Sequence, residues 1–133
     1  MASYVAAQVV KLMSSKRILV KGSRVLVMGL TFKENCPDLR NSKVADVVRE
    51  LKHYGAKVDV FDPWIDRDEA EHEYGIRPVS RVRDGTYDAV VLAVGHKEFR
   101  DQGVASIRKA CKKTHVVYDI KYVFPAAEVD GRL

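Results

Sequence analysis

The chain has 133 residues, the size of one domain with room for a real core, and its 47% hydrophobic and 31% charged residues exclude a disordered polymer. No apolar run approaches the roughly 18 residues needed to cross a bilayer, so no membrane span is expected. The net charge of +5, from 23 basic and 18 acidic residues, alternates in sign along most of the chain, without the basic stripe or interleaved aromatics of a nucleic-acid binder.

In chain order, Val5, Val9, Leu12 and Met13 fall at i, i+4, i+7 and i+8, which predicts a helix over Tyr4 to Lys16. Gly22 and Ser23 break it. The apolar run Arg24 to Leu30 is short and rich in β-branched residues, as expected of a strand buried on both faces. After an irregular loop, Val44, Val47, Val48 and Leu51 mark a second helix, with Asn41 or Ser42 as its cap and Gly55 at its end. Lys57 to Phe61 is a strand stopped by Asp62-Pro63. Asp66 to Tyr74 is a short charged helix closed by Gly75, and Ile76 to Val79 reads as a brief strand. Asp88 to Val94 is the clearest strand of the chain. A helix presenting Val104, Ile107 and Cys111 follows, and Thr114 to Ile120 is the last strand.

Strands that are apolar throughout, alternating with helices, imply βαβ units around a parallel sheet. The expected fold is α/β: a Rossmann-like three-layer sandwich with a mostly parallel sheet of about five strands, preceded by a helix. That first helix stands outside the alternation and is expected to belong to a neighbouring piece of a longer protein. The N-terminus carries no basic segment ahead of its apolar residues and does not read as a signal peptide. Cys36 and Cys111 lie far apart with no CxxC pair, so a reduced, cytoplasmic setting is expected.

Ligands of open α/β sheets bind outside the carboxyl ends of the strands. Two segments there carry what an anion needs. The loop Gly29 to Lys43 is longer than the roughly two to six residues usual between a strand and a helix. In it Phe32 could cover a base or ribose, and Lys33 and Arg40 could hold phosphate oxygens. The alternative is a solvated loop whose charges pair among themselves, Asp38 with Arg40 for example. The second segment, Asp119 to Pro125, places Lys121 at the same edge, where a snorkelling surface lysine is the competing reading. His53 and His72 fall on charged helices, His115 opens a strand, and His96 either lines the cleft or makes structural hydrogen bonds. No spacing among them suggests a metal site.

Taken together, Gly-Leu-Thr-Phe-Lys-Glu-Asn-Cys-Pro-Asp-Leu-Arg-Asn-Ser at 29–42 resembles the signature of the C-terminal UDP-binding domain of the UDP-glucose/GDP-mannose dehydrogenase family. Phe61-Asp62-Pro63, Asp88 to Val94 with His96, and Asp119-Ile120-Lys121 with Val123 are similar in order and spacing. The run Lys33 to Asn41 looks most like the branch that oxidises UDP-N-acetylhexosamines for bacterial surface polysaccharides, the Vi polysaccharide type.

The resemblance implies a two-step, four-electron oxidation of a sugar C6 alcohol to a carboxylate with two NAD per turnover. An N-terminal Rossmann domain holds NAD in such enzymes, a central helical region carries the catalytic cysteine and makes a homodimer, and the C-terminal domain grips the UDP-sugar. On this sequence Phe32 and Lys33 would line the sugar-nucleotide site, Lys121 would contact the UDP moiety, and Arg40 would reach the NAD phosphates. Residues 1–22 would be the end of the central helical region with its linker, and 23–133 the UDP-sugar-binding domain. Neither a GxGxxG fingerprint nor a Gly-Gly-x-Cys nucleophile segment occurs, so no catalytic residue is assigned and the piece by itself is expected to be inactive. Cys36 reads as structural or incidental, and Cys111 as core. The reading from a different class is a free-standing nucleotide-binding regulatory module.

Overall fold

The computed structural model describes all 133 residues, Met1–Leu133. Five parallel strands form one sheet in the order β2-β1-β3-β4-β5, where β1 is Arg24–Met28, β2 Lys57–Phe61, β3 Tyr87–Leu92, β4 Cys111–Asp119 and β5 Gly131–Arg132. Every residue of β3 is buried, as a central parallel strand covered on both faces requires. The chain order reverses between β1 and β3, so the crevice of this doubly wound sheet lies at their carboxyl ends.

The helices are α1 (Ala2–Ser15), α2 (Val44–His53), α3 (Arg67–Tyr74) and α4 (Lys97–Lys109). The larger core joins α1, α2 and Ala70 of α3 to one face of the sheet; the smaller joins Phe99 and Ile107 of α4 to the other face, with Val123 and Phe124 from the C-terminal segment. Capping decides where α3 starts and stops. Asp66 accepts from the backbone of Asp68 (2.8 Å) and Glu69 (3.1 Å), and Gly75 closes the helix in the left-handed conformation.

Four elements differ from the sequence reading. Ile76 to Val79 forms no strand; a single bond from the Val79 amide to the Val60 carbonyl (2.8 Å) ties this extended segment to the edge of β2. The fifth strand is instead β5, two residues long, which carries too little pattern to register in sequence. Cys111 opens β4 rather than lying on a helix face, because α4 kinks at Gly103 (φ 78°) and ends at Lys109. Lys43, not Asn41 or Ser42, stands at the N-cap of α2, without a side-chain bond.

The first helix is an integral layer. Val5, Ala6, Val9 and Met13 are fully buried within the larger core beside Val25, Val91 and Tyr118. Lys16 staples its end to β4 and to the residue before β5, reaching the His115 carbonyl (2.7 Å) and Asp130 (2.9 Å). Gly131 lets β5 come close here: a Cβ at that position would lie 2.8 Å from Leu12 and 3.0 Å from Tyr118.

Candidate functional site

The loop after β1 and the loop after β4 both emerge at the carboxyl edge, with β3 between their strands. Their shape follows from two buried aspartates. Asp62, just past β2, accepts with Oδ2 from the backbone of Leu30 (2.7 Å) and Thr31 (3.2 Å), and with Oδ1 from Trp64 (2.8 Å). Asp119, the last residue of β4, accepts from Lys121 (3.1 Å) and Phe124 (2.9 Å). Each carboxylate thereby closes an Asx-turn two residues on. Burial opposes the charge on Asp62, but the hydrogen bond from His96 and those from the backbone outweigh it and hold the carboxyl below its usual range.

The loop from Thr31 to Lys43 is long yet anchored. Its Leu39 is buried, and the Phe32 amide donates to the Asp38 carbonyl (2.9 Å). The Tyr74 hydroxyl, from α3, donates to the Leu39 carbonyl and accepts from the Ser42 amide (3.0 Å). Ser42 Oγ donates back to the Leu30 carbonyl (2.5 Å), which is why it is not available to cap α2.

Phe32 and Lys121 meet on one cleft of about 680 Å³, bounded by the start of α1, by α2 and by the two loops. Its lining mixes apolar groups such as Val47, Ala93 and Ile120 with the cations Lys43, Arg49 and Lys121 and the acids Asp46 and Glu50. Phe32 is 54% exposed, a large apolar ring left facing this space. An apolar wall with an exposed ring and lysines suits a ligand that is aromatic at one end and anionic at the other.

The other two predicted residues stand apart. Lys33 is exposed next to Phe32 but does not line the cleft. Arg40 lies farther along the loop, 84% exposed, paired with Asp38 through Nε (3.0 Å) and Nη2 (3.1 Å). This is the pairing that composition offered as the alternative. The Arg40 guanidinium holds the Asp38 carboxyl below the usual range. Arg40 Nη1 takes no part in that pair. Gly29, the one glycine of the loop, makes no cradle: a Cβ there would lie 2.5 Å from the side chain of Val94, so its small size serves packing at the switch point.

Sequence reasoning missed Asp62, Asp119 and Asn35, and left His96 open. An aspartate ending an apolar strand is a turn signal legible in sequence. The joining of Asn35 to His96 across 61 positions is not. His96 is wholly buried: Nδ1 accepts from the Asn35 amide (2.9 Å), while Nε2 lies 2.9 Å from Asp62 Oδ2 and 3.2 Å from Thr31 Oγ1. Cys111 is in the core, and burial pushes its thiol up to about 11, far from a nucleophile's range.

A family model described as the UDP-glucose/GDP-mannose dehydrogenase family, UDP binding domain, matches residues 26–126. A UDP-N-acetyl-D-glucosamine 6-dehydrogenase of Pseudomonas aeruginosa is 56% identical over 133 residues, covering 100% of this chain and 32% of the relative. Its counterpart of the same description in Salmonella typhi is 53% identical over 133 residues and is covered to 31%. The chain thus spans about a third of the length of these relatives. Among solved structures, the UDP-N-acetyl-mannosamine dehydrogenase Cap5O of Staphylococcus aureus superposes with a TM-score of 0.69 at 25% identity, over 98% of this chain and 29% of that one. A UDP-D-ManNAc dehydrogenase of Pyrococcus horikoshii superposes at 0.75 with 22% identity, over 98% and 30%, and shares the fold.

Proposed function

This chain belongs to the UDP-glucose/GDP-mannose dehydrogenase family as its UDP-binding domain, and from that premise we propose that it grips the nucleotide of a UDP-sugar for an NAD-dependent 6-dehydrogenase. Phe32 and Lys121 on one cleft at the switch point carry the reading. Phe32 covers the nucleoside, Lys121 pairs with the diphosphate, and Lys33 reaches in from the rim, each charge-assisted bond worth about 1.5–3 kcal/mol when partly desolvated. The identity to two UDP-N-acetyl-D-glucosamine 6-dehydrogenases supports a UDP-N-acetylhexosamine as substrate and its uronate as product.

In this proposal the oxidation itself belongs to the rest of the protein. NAD, held by an N-terminal domain, would accept hydride from the sugar C6, and a catalytic cysteine outside this chain would carry the intermediate. Residues 1–22 form the end of a central helical and dimerising region with its linker, and 23–133 the UDP-sugar domain. Arg40 contributes a phosphate contact to NAD across the closed cleft between domains. The two unpaired cysteines, Cys36 and Cys111, suit the reducing cytoplasm. The domain alone binds without turnover.

The test is amide NMR of this chain titrated with UDP-N-acetylglucosamine, UDP and NAD. Shifts at 31–43 and 119–124 with the UDP ligands, and none there with NAD alone, are expected. Shifts confined to other loops would overturn the assignment.

A further inference from the structure

Resting on the reading of Phe32 and Lys33 as nucleotide contacts, we propose that His96 is the positioning residue of the 31–35 loop, acting as a neutral imidazole with its proton on Nε2. The proton's place follows from the partners. The Asn35 amide can only donate, so Nδ1, 2.9 Å away, presents its lone pair. Nε2 then carries the hydrogen and faces two acceptors, the Asp62 carboxylate and the Thr31 hydroxyl oxygen. Thr31 is free to accept because its own hydroxyl hydrogen goes to the Lys33 carbonyl (2.9 Å).

The ring therefore holds the loop at two points that bracket Lys33 and Glu34. One arm runs through Thr31 Oγ1 to the Lys33 carbonyl, and the other ends on the Asn35 amide. Asn35 sits in the left-handed region (φ 55°), a conformation that fixed partners must maintain. Its side-chain carbonyl accepts from the Lys97 amide (2.7 Å), so the start of α4 grips the same residue. The imidazole is itself fixed from both sides. Trp64 stacks on it at 6.0 Å and Phe99 meets it edge-on at 5.4 Å. The charged groups around this assembly are Asp62 against the ring, Glu98 on the Trp64 indole, and the Glu34–Arg100 pair (3.5 Å) above the loop.

Two isosteric replacements separate the arms. The Oδ1 of asparagine occupies the place of Nδ1, and the terminal amide of glutamine that of Nε2. His96→Asn thus keeps the acceptor for the Asn35 amide, and His96→Gln keeps the donor to Asp62 and Thr31. The expected result is hydrogen exchange at Asn35 within about threefold of wild type in His96→Asn and at least about tenfold faster in His96→Gln. UDP-N-acetylglucosamine affinity should follow the same order, falling about tenfold in His96→Gln, while both variants lose melting temperature alike. Thr31→Val, which cuts the other arm at constant volume, should raise backbone motion at Lys33 and Glu34, read by amide nitrogen relaxation, and weaken UDP binding. Imidazole nitrogen NMR of the wild-type chain should show a bare Nδ1 and a protonated Nε2, a readout needing no variant. Affinity and exchange that track melting temperature equally in both His96 variants, or a protonated Nδ1, would overturn the proposal. A wild-type chain that binds no UDP ligand would instead overturn the nucleotide reading, and the exchange pattern would still judge the role of His96.

Discussion

Lys121 and Lys33 approach the proposed ligand from different supports, which sets what each substitution should do. Lys121 is exposed, but its backbone is pinned by Asp119; Lys33 is exposed on a loop held from below. Neither side chain contributes to the core, so Lys33→Ala and Lys121→Ala should each weaken UDP-N-acetylglucosamine binding about tenfold or more and leave the melting curve in place. Isothermal titration of both variants checks this; unchanged affinity in both would remove the site. Asp62 and Asp119 shape the two loops from beneath. Each satisfies backbone amides that would otherwise be left unpaired at a buried strand end, where an unmet donor costs about 1–3 kcal/mol.

At the level of elements, β3 and α1 carry opposite lessons. β3 is apolar throughout, lies between β1 and β4, and is buried at every residue. Val91→Asp would place an unpaired carboxylate at its centre, and the chain should fail to fold; a normal cooperative melt would refute the assignment. The alternation of strands and helices identified β3 without ambiguity because a central parallel strand must be apolar on both faces. The same alternation set α1 apart, as part of a neighbouring piece of a longer protein, since nothing in its own stripe of Val5, Val9 and Met13 says which surface it covers. In the fold it covers the sheet. Met13→Ala should accordingly destabilise the domain by about 2–5 kcal/mol, as for any fully buried methionine. Denaturant unfolding measures it; a loss below about 0.5 kcal/mol would make α1 a detachable appendage.

Across the whole molecule, charge is distributed differently from what the loop at 31–43 suggested. Arg40 is paired with Asp38, and five arginines (Arg24, Arg67, Arg77, Arg81 and Arg83) line a depression that also takes in Thr86 and Tyr87 at the opposite, amino-terminal end of the strands. Acid pairing also ties the layers together. Asp130 joins Lys16, the C-cap of α1, to Arg108 of α4 and accepts from the Val117 amide (2.7 Å); burial resists its ionisation, and these partners overcome it and lower its pKa. Asp62 is lowered in the same way. A carboxyl with a depressed folded-state pKa adds stability that is fully present above the unfolded value of about 3.9 and is lost as pH falls through the folded value. The stability contributed by these two carboxyls should therefore be flat across neutral pH and be lost only below about pH 4. In Asp130→Asn that acid-side slope should be shallower, as measured by chemical denaturation at a series of pH values. An equal slope in the variant would assign the acid sensitivity to other carboxylates.

Sequence alone determined the class of this molecule: hydrophobic periodicity separates strands from helices, an apolar strand must be covered on both faces, and the Gly29–Ser42 motif identifies the family. It also supplied the candidates Phe32, Lys33, Arg40 and Lys121, since aromatic and basic side chains at strand ends are legible wherever the strands are. Only the tertiary structure decided which of them meet. Phe32 and Lys121 are 89 positions apart and share a cleft because β1 and β4 both flank β3; Arg40, eight positions from Phe32, does not. It alone decided that β5, not Ile76 to Val79, completes the sheet, and that His96 holds Asn35. The physical reason is common to all three. Periodicity records which face of an element is buried, whereas hydrogen bonds between distant loops depend on how strands are ordered in space, and a two-residue strand or a single buried imidazole leaves no periodic trace.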